Sequence, residues 1–254
     1  MVQSISGVGS SLWMKKGSGL YAPSRRRFSI NGLVLYAPLW HPQLSGSPFN
    51  AWNIANGGVH SCTVFGAIWG PTGRTFDGID NKIVVPDHAS LHPTTAFTQE
   101  IWVYIDPAAT YLDGSFAHIF TSGVSTDYGL FWDDRGGALG TNKLQAQLYG
   151  GVSGDSFIGG NNDITSAGWY HILQTYDKDL GGTEEHKLII NGVVVATGDF
   201  SATMEAGGTT VYLGARPNDT TFAEVIIGEV RIYNRALTLA EIQHIYQSTK
   251  WRYQ

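Results

Sequence analysis

The chain has 254 residues, of which 43% are hydrophobic and 15% charged, and this is enough apolar material for one large domain with a packed core. A single cysteine excludes an internal disulfide framework, and no apolar run reaches the length needed to span a bilayer. The formal net charge is −5, but residues 1–32 carry five basic side chains and no acid, so the rest of the chain carries −10.

Residues 1–32 differ from the remainder in composition as well as in charge. They are rich in glycine and serine, and such a segment has little means of ordering itself. We therefore predict an extended basic amino-terminal arm that is held by another copy of the protein or by other proteins of a larger assembly; a solvated tail is the alternative. The residues expected to make this contact are Trp13, Lys15, Lys16, Tyr21, Arg25, Arg26 and Arg27. Three adjacent arginines are a weak signal for nucleic acid, and pairing with an acidic protein surface is favoured.

From residue 33 onward the pattern is that of short strands joined by turns. Residues 33–39 form an apolar run that ends near Pro38, and residues 97–105 alternate with period two, which is typical of a strand. Residues 150–168 are rich in glycine, serine and asparagine, and they predict a long exposed loop.

Two signals near the carboxyl end are more specific. Asn191-Gly192 separates two apolar runs, and both residues tolerate a positive φ, so a tight hairpin is predicted there. Thr238 followed by Glu241 fits a capping box and predicts a helix start. Many strands followed by one late helix indicate an all-β sandwich closed by a terminal helix.

Five segments resemble, in order, the motifs of laminin-G-like, concanavalin A-like jelly rolls. They read FDGIDNKIVV from residue 76, FTQEIWV from residue 97, GWYH from residue 168, LIINGVV from residue 188 and GEVRIYNRAL from residue 228. The resemblance implies a two-sheet antiparallel jelly roll over residues 33–254, with one short carboxy-terminal helix and with the arm of residues 1–32 outside it. It also implies binding to glycans or proteins far more often than catalysis, although a fold does not settle a function.

The resemblance further implies a calcium site at the turn that follows residue 76. Asp77 and Asp80 would supply carboxylate oxygens there, and Glu229 would approach from the closing strand. Where the family commonly has an aspartate before that glutamate, this chain has Gly228. The alternative is that Asp77 caps a turn by accepting hydrogen bonds from the backbone.

A glycan site would need an exposed aromatic ring beside hydrogen-bonding groups, because the faces of sugars stack on rings. The best such cluster in the sequence is Trp132, Asp133, Asp134 and Arg135. Tyr128 and Asn161 lie on neighbouring segments that could converge on it. The alternative is that Trp132 belongs to the core and that the charged residues form an exposed turn.

Catalysis is not favoured by the sequence. Related jelly-roll glucanases carry two carboxylates at alternate positions of one strand, whereas Glu100 is followed at those offsets by Trp102 and Tyr104. The histidines are scattered, no serine lies in a G-x-S-x-G context, and His171 fits a core or sheet histidine. We therefore predict a protein that is not an enzyme and that has no catalytic residues.

These observations predict a non-enzymatic structural or attachment protein that is anchored by its arm to a larger assembly, with a glycan-binding face as a further expectation. The form we expect is a virion decoration, capsid or fibre component, placed on a virion or an extracellular surface, because the amino terminus lacks the apolar run of a signal peptide. The alternative is a free carbohydrate-binding module of a bacterial surface protein.

Overall fold

The computed structural model describes residues 29–112, 116–123, 127–136, 143–150, 154–159, 164–205, 207, 210–217 and 220–254. In these residues the chain forms sixteen strands and one α-helix, with short 3-10 turns at Pro42–Leu44, Ala89–Leu91 and Lys250–Arg252. The first eight strands are β1 (Leu33–Pro38), β2 (Phe49–Asn53), β3 (Gly58–Phe65), β4 (Ile68–Gly70), β5 (Gly73–Asp77), β6 (Lys82–Val85), β7 (Ala96–Ile105) and β8 (Phe116–Ser122). The remaining elements are β9 (Tyr128–Asp133), β10 (Lys143–Tyr149), β11 (Asp155–Gly159), β12 (Gly168–Asp177), β13 (His186–Ile190), β14 (Val193–Gly198), β15 (Val211–Leu213), β16 (Glu224–Tyr233) and α1 (Leu239–Thr249).

The strands form two antiparallel sheets that share one strand. The back sheet has the order β2-β1-β16-β7-β12-β13-β14, and β5 with β4 pairs beside β16. The front sheet has the order β11-β10-β9-β8-β15-β6-β3. Strand β3 joins them, because its first half pairs with β2 and its last three residues pair with β6.

The main core lies between the two sheets. Side chains alternate along each strand, so every second residue points inward, and Phe97 from the back sheet meets the ring of Tyr128 from the front sheet at 4.7 Å between centroids. Trp132, Phe76 and Phe120 are also fully buried in this layer. Burial of these rings, together with the many aliphatic side chains of the core, stabilises the packing of the two sheets.

A chain of hydrogen bonds between polar side chains crosses this core. Gln99 on β7 donates to the carbonyl of Phe120 at 2.9 Å, and Gln174 on β12 donates to Gln99 and to the carbonyl of Gly129. His186 Nε2 donates to Gln174 Oε1 at 3.0 Å, and its Nδ1 lies 2.9 Å from the hydroxyl of Ser156 on β11. The chain therefore ties strands of the back sheet to strands β8, β9 and β11 of the front sheet.

Helix α1 covers part of the outer face of the back sheet. Ile242 and Ile245 are buried against Leu33, Leu173 and Tyr233 in a second, smaller apolar cluster. The helix begins with the predicted capping box: the hydroxyl of Thr238 accepts from the amide of Glu241 at 3.3 Å, and the carboxylate of Glu241 accepts from the amide of Thr238 at 2.9 Å.

Replacing Thr238 by alanine should lower the free energy of unfolding by about 1 kcal/mol, because it removes one acceptor for the amides of the first turn. Urea denaturation followed by tryptophan fluorescence measures the change. Thr238→Ser is the control and should retain most of the stability, since serine caps as well as threonine does. Equal losses in the two variants would show that the hydroxyl does not act as a cap.

The predicted fold class is confirmed: the structure is a two-sheet antiparallel sandwich with one carboxy-terminal helix. The predicted turn at Asn191-Gly192 is also present, with φ of 52° and 79°. The prediction that residues 150–168 form one long loop is wrong, because Asp155–Gly159 pair with β10 and bury Ser156 and Ile158. None of the helices in the described part of the chain has the length and apolar character needed to cross a membrane.

Candidate functional site

The outer face of the front sheet carries a cluster of aromatic and polar side chains, here called the front cluster. It consists of Phe116 and His118 on β8, Phe131 and Asp133 on β9, Arg135 just after β9, and Gln145 on β10. Cross-strand register brings them together, since Phe116 pairs with Asp133, and Phe131 pairs with both His118 and Gln145. Residues that are paired across a sheet point to the same face, so these side chains lie side by side. His118, Phe131, Asp133 and Gln145 are buried there, Phe116 is partly buried, and Arg135 is exposed.

Asp133 and Arg135 form a two-pronged ion pair at the end of β9. The Nε and Nη2 atoms of Arg135 each donate to one carboxylate oxygen of Asp133 at 2.9 Å, and Gln145 donates to the same carboxylate at 2.7 Å. The hydrogen bonds from Arg135 lower the pKa of Asp133 below its ordinary value, and they raise the pKa of Arg135. Both groups are therefore charged at neutral pH, and the guanidinium has a fixed orientation.

The guanidinium of Arg135 lies over a short column of rings. Its Cζ atom is 4.4 Å from the centroid of Phe116, and Phe116 stacks on Phe131 at 5.5 Å with 14° between the planes. The edge of His118 meets Phe131 at 4.6 Å, and burial lowers the pKa of His118 to about 3, so this imidazole is neutral. The side chain of Arg135 is 56% exposed, whereas that of Asp133 is 9% exposed.

At the protein surface this arrangement presents the guanidinium of Arg135 beside the partly buried ring of Phe116. Two of the five N–H groups of Arg135 donate to Asp133, and the exposed side chain presents the others at the rim of the cluster. A flat guanidinium held against a ring is already ordered, so a ligand that binds it loses little further side-chain entropy. The front cluster is therefore suited to a ligand that carries many hydroxyl groups.

The structure brings together only part of the predicted glycan site. Asp133 and Arg135 lie in the front cluster, but Trp132 and Tyr128 point inward, because adjacent strand residues face opposite sides. Trp132 donates to the carbonyl of Leu112 at 2.9 Å, and Tyr128 donates to that of Leu91 at 2.8 Å. The prediction that these two rings stack on a sugar is wrong, since both are fully buried.

The other predicted glycan residues contribute less. Asp134 is half-buried directly after β9, and Asn161 lies outside the described residues. Phe116 and Gln145 were not predicted, because they become neighbours of Asp133 only through the register of three strands.

The predicted calcium ligands do not form one donor set. Asp77 Oδ1 accepts from the amides of Ile79, Asp80 and Asn81 at 2.9–3.4 Å, so this carboxylate caps the turn. Residue 77 pairs with residue 224 on β16, and Glu229 lies five residues further along that strand, which is about 16 Å away. The described residues contain no group of three or more histidine, cysteine or acidic side chains that could hold a metal ion. The set of Asp77, Asp80 and Glu229 is therefore wrong as a calcium site.

Glu229 instead belongs to a buried charge cluster under the carboxyl end of the chain. Arg231 lies between two carboxylates, donating to Glu100 and, at 3.0 Å, to Glu229. Burial acts to raise the pKa of Glu100, but the charge of Arg231 and a hydrogen bond from His171 at 3.0 Å outweigh it and lower that pKa. The cluster is 4% exposed or less, so it is a structural network rather than an accessible pair of acids.

Stacked aromatic rings cover the buried charge cluster of Glu100, Glu229 and Arg231. The indole of Trp102 stacks on His171 at 4.9 Å and on Tyr253 at 4.5 Å, and Tyr246 of α1 stacks on His171 at 5.8 Å. His171 is therefore buried in a stack and bonded to Glu100, which confirms its prediction as a sheet histidine.

A family model named Laminin_G_3, described as the concanavalin A-like lectin/glucanases superfamily, matches residues 77–243. This chain belongs to that family. The match confirms the resemblance found in the sequence motifs. It covers all strands from β6 to β16 and the first part of α1. Among curated proteins, none matches this sequence.

Three solved structures illustrate the similarity of the fold of this laminin-G-type chain. The sialidase of Trypanosoma rangeli in complex with sialic acid is 18% identical with a TM-score of 0.61, and the match covers 87% of this chain and 33% of the sialidase. A binding domain of botulinum neurotoxin DC in complex with SialylT is 13% identical with a TM-score of 0.62, and the match covers 85% of this chain and 51% of that one.

The third structure is described as showing that cell entry of botulinum neurotoxin type C depends on two ganglioside molecules. It is 15% identical with a TM-score of 0.60, again over 85% of this chain and 51% of that one. The chain thus spans about a third to a half of the length of the structures that it matches. At these identities the likeness shows the fold alone.

The comparisons correct the prediction that the protein is not an enzyme. The similar structures include a sialidase, which is an enzyme, alongside toxin binding domains, so membership of this fold does not separate catalytic from non-catalytic proteins. The match covers only 33% of the sialidase chain and assigns no activity to this one. The arm residues Trp13, Lys15, Lys16, Tyr21, Arg25, Arg26 and Arg27 lie outside the described residues, and their predicted role stays a prediction.

Proposed function

We propose that the protein binds carbohydrate, and that the front cluster is its binding face. The observation that carries this proposal is the exposed guanidinium of Arg135, fixed by Asp133 and laid over the ring of Phe116. Sugars present hydroxyl groups around a ring with apolar C–H faces, so they match an exposed guanidinium that lies beside an aromatic ring.

Two further points support carbohydrate over a purely apolar ligand. Gln145 donates to the carboxylate of Asp133 beneath Arg135, so these two buried groups hold the exposed guanidinium as a fixed, charged donor. The family takes its description from lectins and glucanases, and similar structures are described in complex with sialic acid or SialylT.

The charge of the front cluster does not select between neutral and acidic sugars. Arg135 is paired with Asp133, so the two charges cancel at a distance. The N–H groups of Arg135 that do not bond Asp133 can donate to a sugar hydroxyl or to a sugar carboxylate, and a glycan array distinguishes the two.

An array of immobilised neutral and sialylated glycans, probed with the full chain, tests the proposal. We expect binding to at least one glycan class, and Arg135→Ala should weaken that binding by about tenfold, as is usual for an arginine at the centre of an interface. Isothermal titration with the best glycan measures the change.

Arg252→Ala is the matched control. Arg252 also lies over a ring, with its Cζ atom 3.5 Å from the centroid of Trp40, but it contacts the back sheet side of the molecule. Its replacement should leave the affinity unchanged. No binding by the parent protein, or an equal loss in the two variants, would contradict the proposal.

Attachment to a larger assembly, and the placing of the protein on a virion or an extracellular surface, remain predictions from the sequence. They rest on the basic arm, whose residues 1–32 carry +5 against −10 on the remainder of the chain.

A further inference from the structure

The carboxy-terminal segment, residues 250–254, inserts one aromatic ring into the outer face of the back sheet. Residues 250–252 form a 3-10 turn without a side-chain cap, and no residue of the segment pairs with a strand in the described part of the chain. Trp251 is 66% exposed, whereas Tyr253 is 5% exposed and is the one buried residue of the segment. The ring of Tyr253 is therefore the main apolar contact between this segment and the sheet.

This ring occupies a slot, here called the ring slot, between two indoles and a strand. The centroid of Tyr253 lies 4.5 Å from that of Trp102 and 4.7 Å from that of Trp169. The third wall is Gly228, at the bulge where the register between β16 and β7 shifts. A Cβ atom at residue 228 would lie 2.5–2.8 Å from atoms of the Tyr253 side chain. The slot therefore admits an aromatic ring because residue 228 has no side chain.

The polar end of the ring slot is poorly matched by its resident. The hydroxyl of Tyr253 is buried, and it makes no hydrogen bond within the described residues. Burial, followed by the charge of Glu229, raises the pKa of Tyr253, so the hydroxyl keeps its proton and remains a donor. Oε2 of Glu229 accepts only long hydrogen bonds of 3.4 Å, from Tyr36 and Trp40. A buried donor without an acceptor weakens the binding of the resident ring.

We propose that the ring slot is a binding site for a planar phenolic ring, and that Tyr253 closes it from within the same chain. The two indoles supply the stacking faces that such a ring needs, and the resident side chain is itself a phenol. A free phenol can tilt towards the carboxylate of Glu229, whereas the backbone of residue 253 fixes the resident ring. A tethered ring acts at a high effective concentration, so a ligand enters only by displacing the segment. This inference does not depend on carbohydrate binding.

Titration of the full chain with p-cresol, the free form of the tyrosine side chain, tests the inference. Tyr253→Ala should bind this phenol at least about tenfold more tightly than the parent, because the ligand no longer competes with a tethered ring. Isothermal titration measures the affinity, and near-ultraviolet circular dichroism checks that the variant is folded. Trp251→Ala is the matched control, since it removes an exposed ring from the same segment. Its affinity should equal that of the parent.

Two further variants locate the binding site. Gly228→Ala, added to Tyr253→Ala, should abolish binding, because the new methyl group takes the space of the ring. The φ of Gly228 lies outside the left-handed region, so alanine brings no backbone strain there. Tyr253→Phe keeps the ring and removes the hydroxyl that lacks an acceptor, so it should bind p-cresol at most as tightly as the parent. This last variant tests the inference even if Tyr253→Ala does not fold.

Three results would overturn the inference. An affinity of Tyr253→Ala no higher than that of Trp251→Ala would mean that Tyr253 does not close a binding site. Equal binding with and without Gly228→Ala would place the phenol elsewhere on the protein. Tighter binding by Tyr253→Phe than by the parent would show that the resident ring does not compete for the slot.

Discussion

Replacing Arg231 by methionine is expected to lower the free energy of unfolding by about 3–5 kcal/mol, the usual cost of breaking a buried ion pair from one side. Arg231 is fully buried between Glu100 and Glu229, which lie on adjacent strands β7 and β16. Without the guanidinium, two carboxylates remain under α1 with no cation between them. They must either stay charged in an apolar environment or take up protons, and both cost free energy.

Guanidinium chloride denaturation at neutral pH, followed by fluorescence, measures this loss. Arg252→Met is the control, because Arg252 contacts Trp40 and Trp251 at the edge of the protein and should cost less than about 1 kcal/mol. The triple variant with Glu100→Gln, Glu229→Gln and Arg231→Met should cost less than the sum of its parts, since no charge is then left unpaired. A loss in Arg231→Met that is no larger than that of the control would refute the structural role of the cluster.

Lowering the pH from 7 to 5 is expected to destabilise the protein by about 2 kcal/mol for each of the two buried neutral histidines. Burial lowers the pKa of His186 and of His118 to about 3, whereas the unfolded chain has the ordinary value of 6.5. The unfolded state therefore binds protons below pH 6.5 while the folded state does not. The contribution of these two histidines to stability is complete above pH 6.5, and it is lost progressively as the pH falls towards 3.

Two other groups change the dependence of the free energy of unfolding on pH. Hydrogen bonds that His92 donates to Asp127 and Asp87 outweigh the effect of burial and raise the pKa of His92, so this residue opposes the loss by binding a proton more tightly in the folded state. Glu100 has a lowered pKa and adds a further loss below about pH 4.5, where the unfolded carboxyl becomes protonated.

Denaturation at pH 7 and pH 5 in the parent and in His186→Gln measures the contribution of one histidine. Glutamine retains a donor for Gln174 and an acceptor for Ser156 but takes up no proton, so the difference between the two pH values should shrink by about 2 kcal/mol. His244→Gln, on the exposed face of α1, should leave that difference as it is in the parent. The same pH dependence in the parent and in His186→Gln would refute the assignment.

Much of the fold follows from local sequence signals. Asn191-Gly192 supplies the two positive φ angles that a two-residue hairpin needs, and Thr238 with Glu241 fixes the first turn of α1. Both motifs depend on residues that are close in the chain, so they can be identified from the sequence alone. The edge strand β11 was missed because its segment is polar and glycine-rich, and its pairing to β10 depends on burying Ser156 and Ile158.

The site was predicted only in part because its members come from separate strands. Period two places Trp132 and Asp133 on opposite faces, but the sequence does not say which face is inward. Phe116 reaches Asp133 only through strand register, and Arg135 reaches Phe116 through its pairing with Asp133. The predicted calcium site was wrong because its residues also come from separate parts of the chain. Glu229 is bound by Arg231, at a distance from Asp77.

Nuclear magnetic resonance of the arginine side chains tests most directly the claim that this laminin-G-type domain binds carbohydrate through its front cluster. Addition of a glycan selected from the array should shift the Nε–H resonance of Arg135, and the resonances of Arg231 and Arg235 should stay in place. Shifts that fall at Arg235, which follows β16 of the back sheet, or no shift at Arg135 under saturating glycan, would contradict the assignment of the binding face.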